Sequence, residues 1–487
     1  MVDSSPCPDA DALDDCRRAG LWGAVIPLAA IVVAALILRF WGLGKTSLWY
    51  DEVVTMRVAQ TPSLAALIAA LDQIDGTRAP LHPWILQVWL KVFGSSDLAG
   101  RSLSAVCGLG TVVVVYFLGR AAFDEATARW SAWLAAVCPP LVYYSREARM
   151  YAWLVLLTCL SWLVFFSFRH AVGLARVGFY GLLLVALVYS HPLGLFMVGA
   201  HAVAYLAARS SLRLSLTKWL VLQGAVALAI APWIPRYFDH GTDYPLPRQT
   251  IRFLLAVPIE YVGGNSAVFA VCASIVAYGI VGRRPWRAWE SKTENEILIC
   301  WAALPPLAMF VYSHVSQSIF GPPRYHLFCA PAYLILLAHG LARLPAVLRW
   351  PLAAMGLFFS LTLVQSYEQA LKADWRGLAG WIEATADLRP GASQPGGRVT
   401  LVIHPSDPRF PREQLEAARY YLGEHADVVP PDAPVGGPGE DVLERTYDVY
   451  CLVRPSAPEP AARDERAFYG IRVRRRGTVA DVRFEAP

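Results

Sequence analysis

About eleven long apolar runs, separated by short polar connections, fill the first 370 or so residues, and this succession limits the chain to few folds. The runs lie at 21–41, 102–119, 127–142, 150–168, 176–190, 192–208, 217–235, 254–281, 296–313, 325–342 and 346–366. Composition agrees: 56% of residues are hydrophobic, only 17% are charged, and mean hydropathy is +0.40, a combination few soluble proteins show. An all-α polytopic membrane protein with about eleven transmembrane helices is the expected class. The net charge of +5 is spread between the runs and gathers in no patch, which argues against a nucleic-acid partner, and none is expected. Nine cysteines form no C-x-x-C pair, and six of them sit in or beside apolar runs, so neither a disulfide framework nor a zinc site is expected.

Lys and Arg set the orientation. One set of connections holds Arg120, Arg129, Arg169, Arg209, Arg283, Arg343 and their basic neighbours; the other holds only Arg146, Arg149, Arg236, Arg248, Arg252 and Arg324. The richer set is cytoplasmic by the positive-inside rule. The polar, acidic start, residues 1–20, ends in Arg17 and Arg18 and reads as a cytoplasmic tail before a retained first span, not as a cleaved signal peptide. Counting the short apolar stretch "APLHPWILQVWLKVFG" as a span would put the arginine-rich connections outside. It is therefore expected to be re-entrant or to lie in the interface, and 42–101 becomes one long external loop of a transmembrane domain covering 21–369. Within that loop "TPSLAALIAALDQ" predicts an amphipathic helix capped by Thr61 or Ser63.

Beyond about residue 370 prolines, glycines and charges take over. The strand-like runs "RVTLVIH", "YDVYCLV" and "GIRVRR" and the helix-like "REQLEAARYYL" predict a small α/β domain over 370–487. An odd number of spans places it outside, with the long first loop.

On that expected external face the chemistry-bearing residues collect: Asp51 and Glu52 just after the first run, Arg78 and His82, Glu147 and Arg149, His191, the loop with Asp239, His240 and Asp243, and Arg324, Tyr325 and His326. Taken singly, each has an ordinary explanation as a solvated loop charge or an interfacial anchor. Their convergence on one side points to chemistry at one interface. The runs carry almost no charge away from their ends, whereas an ion-coupled transporter places charges near the bilayer midplane. A flippase or transporter of lipid-linked sugars is the alternative function, and a path of polar residues through the membrane is what it would need.

Four motifs in order, "SLWYDEVVTMRVA", "RAPLHPWILQVWLKVFG", "VYYSREARMYAWLVLL" and "GPPRYHLFCAPAYL", resemble the C-type (GT-C) polytopic glycosyltransferases. The resemblance is to the bacterial branch related to protein O-mannosyltransferases, aminoarabinose transferases and rhizobial galacturonosyltransferases. It implies a sugar carried on a polyprenyl phosphate, transferred with inversion to a hydroxyl on the periplasmic side of a bacterial inner membrane. Asp51 matches the first-loop catalytic Asp and would be the general base, with Glu52 orienting it or binding the acceptor. Arg149 and Arg324 would hold the lipid phosphate through their bidentate forks, helped by Tyr325 and His191, while Arg78 and His82 would contact substrate. Some members bind a divalent metal, so the resemblance allows Mg²⁺ or Mn²⁺ between Asp51 and Glu147. The "W-W-D" acceptor motif of oligosaccharyltransferases and the β-trefoil insertion of eukaryotic protein O-mannosyltransferases are absent from the sequence. A lipid, glycolipid or envelope polysaccharide is thus as good an acceptor as a protein.

Overall fold

The computed structural model describes residues 26–75, 78–238, 247–281, 292–369, 374–385, 399–404, 411–422, 426–430, 446–451, 465–468 and 471–475. The N-terminal tail and the loop with Asp239, His240 and Asp243 lie outside the described residues. Two compact units emerge: Met1–Leu43 with Val58–Tyr367, and Gly44–Arg57 with Glu368–Pro487.

The first unit is helical. Each of the apolar runs contains a helix: α1 (Ile26–Phe40), α5 (Asp97–Ala122), α6 (Glu125–Val137), α8 (Tyr151–Ser167), α9 (Leu174–Ser190), α10 (Gly194–Ala208), α11 (Leu216–Ile230), α13 (Ile251–Tyr261), α14 (Ser266–Val281), α15 (Lys292–Val315), α16 (Ala330–Arg343) and α17 (Ala346–Gln369). Local chemistry sets their ends. Ser96 and Asp124 cap α5 and α6 by accepting the N–H groups of Ala99 (3.2 Å) and Thr127 (2.7 Å). Pro139 and Pro140 cut the run 127–142 after α6 and start the short α7 (Pro139–Tyr144). The run 254–281 is broken at Gly263 and Gly264, whose φ values of 90° and 79° favour glycine, and α13 and α14 meet there at 80°.

By length and apolarity α5 and α15 qualify as full spans, and the bent pair α13–α14 makes a third. Six other apolar helices and the apolar part of α17, Ala346–Phe359, are 10–17 residues long. At about 1.5 Å per residue these fall short of the ~30 Å hydrocarbon core. Helix length among the described residues thus identifies fewer spans than hydropathy, which counts a run through its flanking turns.

The core gathers where α8, α10 and α15 meet. The Trp162 ring stacks on His201 at 3.7 Å and on Trp301 at 5.4 Å, and Phe165 and Tyr180 are fully buried beside them. Gly340 of α16 packs against the α14 backbone at Ile275 so closely that a Cβ there would collide with it. In the expected external loop, α3 (Leu64–Ile74) starts at Ser63, whose hydroxyl accepts the Ala66 N–H at 3.2 Å, and buries Leu67 and Leu71 while Leu64 and Ile74 stay exposed. The apolar stretch after it forms α4 (Leu81–Phe93), thirteen residues long and packed against α5 and α9.

The second unit is built on a five-stranded sheet in the order β2-β1-β3-β5-β4. β1 (Val399–His404) runs parallel to β2 (Ala426–Val429) and to β3 (Thr446–Cys451); β5 (Ile471–Arg475) is antiparallel to β3 and to β4 (Glu465–Phe468). Between β1 and β2 the chain crosses over through α19 (Pro411–Leu422), which buries Leu415, Ala418 and Leu422. Three strands and α19 match the sequence reading; β2 and β4, four residues each, are too short to show alternation. The same unit contains α18 (Trp375–Thr385), capped by Asp374, which accepts the Gly377 N–H at 2.9 Å. It also takes in residues 44–57, which the sequence reading leaves with the helical domain, and with them the start of α2 (Tyr50–Ala59).

Candidate active site

Within the helical unit, three chain reversals converge at one end of the bundle. The first is the turn between α7 and α8. Of its two arginines, Arg146 is structural: its guanidinium donates to the Leu38 and Trp41 carbonyls at the end of α1, at 2.9 and 2.8 Å. Arg149 is held by its backbone, its N–H donating to the Glu147 carbonyl (2.8 Å) and its carbonyl accepting from the Ser104 hydroxyl (3.0 Å). Its guanidinium lies 5.8 Å from the Tyr151 ring centroid, and only 6% of the residue is exposed. Glu147, two residues earlier, is also buried.

The second reversal, between α9 and α10, carries His191. The Trp153 indole of α8 donates to Ser190 Oγ at 2.8 Å, fixing the end of α9 beside the start of α8. The Leu193 N–H donates to His191 Nδ1 at 3.1 Å, so the proton of the neutral imidazole sits on Nε2.

The third reversal precedes α16. The 3₁₀ turn Pro323–Tyr325 packs against α7, and the next one, Leu327–Cys329, against α8. Arg324 lies 5.2 Å from the centroid of the Tyr325 ring, so Tyr325 supports the guanidinium. The adjacent His326 is anchored by Tyr261, whose hydroxyl donates to the His326 carbonyl (2.8 Å) and lies 3.1 Å from Nδ1. Tyr261 also lines an apolar groove with Trp133, Val137, Val271, Ile275 and Leu334. Ser104 and Tyr261 have no neighbouring motif, and sequence reasoning misses both.

Electrostatics ties these reversals together. Burial, reinforced by Arg149 and then Arg324, lowers His191 from 6.5 to about 3; burial and Arg149 lower His82, near the start of α4, to about 3 as well. The structure therefore gathers Arg149, Arg324, His191 and His82: two cations and two neutral imidazoles, a set suited to an anion. Because both histidines take up protons near 6.5 in the unfolded chain and near 3 in the folded one, the unfolded state binds more protons between these values. Their contribution to stability is complete above about pH 6.5 and falls as pH drops toward 3. A His82→Gln/His191→Gln variant is expected to lose less melting temperature between pH 7 and pH 5 than the parent, measured by thermal unfolding in detergent.

Arg78 differs from that set in its contacts. Its guanidinium donates to the Arg236 carbonyl at 3.2 Å, and its own carbonyl accepts from the Trp233 indole at 3.0 Å; it thus ties the loop before α4 to α12 (Ile234–Phe238). Its φ of 49° marks the tight turn that permits this.

Asp51 and Glu52 belong to the second unit and occupy the first turn of α2. They differ sharply in surroundings. Glu52 is fully buried and its Oε2 accepts the Trp49 N–H at 3.2 Å, the reach-back of a capping box. Asp51 is half-buried, and its carbonyl accepts the Thr55 hydroxyl at 3.0 Å. As for a divalent ion, no group of three or more His, Cys, Asp or Glu placed to hold one occurs among the described residues. The described residues do not make a metal site.

Residues 77–235 of the 487 match the family of dolichyl-phosphate-mannose-protein mannosyltransferases, a stretch that contains Arg78, His82, Glu147, Arg149 and His191. Among curated protein sequences none matches the chain. Similar folds occur in solved structures. ArnT from Cupriavidus metallidurans in the apo state is 14% identical, with a TM-score of 0.57 over 88% of this chain and 93% of that one. The same protein bound to undecaprenyl phosphate gives a TM-score of 0.55 over the same shares, again at 14% identity. The oligosaccharyltransferase of Archaeoglobus fulgidus in the apo form is 14% identical with a TM-score of 0.53, over 88% of this chain and 70% of that one. The matched family segment covers about a third of the chain, and the fold of the whole is similar to that of these solved transferases.

Proposed function

We propose that the protein moves a single sugar, a hexose or pentose, from a polyprenyl-phosphate donor to a hydroxyl of a lipid, glycolipid, envelope polysaccharide or protein, with inversion, at the external face of the membrane. The observation that carries this reading is the gathering of Arg149, Arg324 and a neutral His191 at one end of the helical unit, with Tyr261 linking the Arg324 turn to an apolar groove. Cations beside an apolar groove suit a phosphate on an isoprenoid chain, the kind of ligand that the solved ArnT holds as undecaprenyl phosphate and AglB from Archaeoglobus fulgidus as dolichol-phosphate.

In this reading Asp51 takes the proton of the acceptor hydroxyl as its oxygen attacks the anomeric carbon from the face opposite the phosphate. A new carbon–oxygen bond forms, the bond to the phosphate oxygen breaks, and the electron pair leaves with the lipid phosphate. Arg149 and Arg324 take up the charge that develops there, where guanidinium forks match phosphate geometry. His191 adds a hydrogen bond from Nε2–H, available because Nδ1 is already an acceptor for Leu193. Glu52 keeps the start of α2 in place.

The test is transfer from a panel of radiolabelled polyprenyl-phosphate sugars to total envelope lipid and polysaccharide by purified protein, with Asp51→Asn alongside. Transfer from one donor that the variant abolishes, donor binding being retained, is the expected result. No transfer from any donor, with protein-dependent movement of the lipid across a vesicle bilayer, would replace this reading with a lipid-linked sugar flippase.

A further inference from the structure

The C-terminal unit raises the question of why a membrane enzyme should carry an α/β domain whose sheet holds none of the expected site residues. Its contacts with residues 44–57 answer it. Arg376, in the first turn of α18, makes three bonds to the chain just ahead of α2. Its backbone N–H donates to the buried Ser47 hydroxyl (3.1 Å), and its guanidinium donates to the Gly44 and Thr46 carbonyls, each at 3.0 Å. From α19 the Tyr421 hydroxyl accepts the N–H of the fully buried Leu48 at 2.5 Å. Three residues on from Leu48 comes Asp51.

The far end of the segment is held as well. Arg57, in the last turn of α2, pairs with Glu416 of α19. The other oxygen of Glu416 accepts from Arg419 at 3.0 Å, and Arg419 donates in turn to the Val428 carbonyl of β2 at 3.2 Å. The helix start is thereby fixed to α18 and α19, and through Arg419 to the sheet. Between the two anchors Val53 and Met56 are fully buried, while Asp51 is half-exposed.

Resting on the reading of Asp51 as general base, we infer that the C-terminal domain acts as its positioning device, with Arg376 and Tyr421 the positioning residues. A general base must lie within about 2.6–3.2 Å of the proton it takes, and a displacement of about 1 Å from a change outside the chemistry can cost about 10²-fold. The segment before α2 is irregular backbone. The Arg376 fork spans the carbonyls of Gly44 and Thr46, and a lysine, with a single ammonium, cannot span both in the same way.

The experiment compares full-length wild type, Arg376→Ala, Arg376→Lys, Tyr421→Phe and Asp51→Asn in detergent, with kcat and donor KM measured for the polyprenyl-phosphate sugar found in the panel. Arg376→Ala is expected to lower kcat roughly 10- to 100-fold, with donor KM within about twofold, because the lipid phosphate is bound by the other unit's residues. Arg376→Lys recovers part of the loss. Tyr421→Phe, which removes one oxygen and keeps the packing, lowers kcat in the same direction with KM unchanged. If Arg376→Ala and Tyr421→Phe keep the wild-type kcat while Asp51→Asn is inactive, the positioning role is wrong and the assignment of Asp51 stands. If donor binding is lost in step with kcat, the domain serves general stability and the inference also fails. If Asp51→Asn is itself fully active, the underlying assignment fails first.

Discussion

Asp51→Asn is expected to lower transfer by about 10²- to 10⁴-fold, the usual contribution of a positioned general base, with little change in donor affinity. The amide keeps the shape of the carboxylate and cannot accept the acceptor's proton. The neighbouring carboxylate provides the internal control. Glu52 is fully buried and committed to the Trp49 N–H, so Glu52→Gln, which retains an acceptor oxygen for that bond, should cost no more than about tenfold, in keeping with the ~1 kcal/mol scale of a helix cap. Measured kcat values for the two variants on the same donor decide between the carboxylates. A dead Glu52→Gln beside an active Asp51→Asn would exchange their roles.

Substituting either phosphate-binding arginine should have an effect almost as large. Arg149→Lys or Arg324→Lys is expected to reduce kcat by about 10²- to 10³-fold, the range for removing one donor to a developing oxyanion. Lysine preserves the charge and loses the planar fork, so a large loss in the Lys variants identifies bidentate recognition and not charge alone. If both arginines serve one phosphate, the double variant loses less than the product of the single losses. Direct binding of free polyprenyl phosphate, followed by a change in tryptophan fluorescence, should weaken in both variants. Undiminished binding in both would move the phosphate site elsewhere.

Much of the fold was legible in the sequence because it depends on local patterns. Apolar runs marked the helices, Thr61 or Ser63 marked the start of α3, and the alternating runs 399–404, 446–451 and 471–475 became strands, whereas the break that Pro139 and Pro140 put into the run 127–142 was not read. The span count was less legible, since hydropathy includes the turns that flank each helix while helix length does not. Among the candidate site residues, type and order pointed to Arg149, Arg324, His191 and His82, which the structure brings within electrostatic reach around Arg149. Arg78 shows the limit of that approach. Sequence sees an exposed basic residue in a motif; the structure shows a guanidinium occupied with the Arg236 carbonyl. Only the position of α1 shows what Arg146, three residues before Arg149, does: it caps the end of that helix.

The sequence by itself determined the class of the protein, an apolar helical chain with a polar α/β tail, and the set of acidic and basic residues available for chemistry. Both follow from composition and short-range periodicity, which are encoded residue by residue. Tertiary structure alone decided which members of that set do what: that Glu52 is a buried cap and Asp51 half-exposed, that His191 presents Nε2–H, and that residues 44–57 belong with a domain beginning more than three hundred residues later. These outcomes depend on hydrogen bonds such as those from Arg376 to Gly44 and Thr46 and from Leu48 to Tyr421, whose partners are far apart in the chain. Local pattern carries no record of such pairs, because their geometry exists only once the intervening chain has folded.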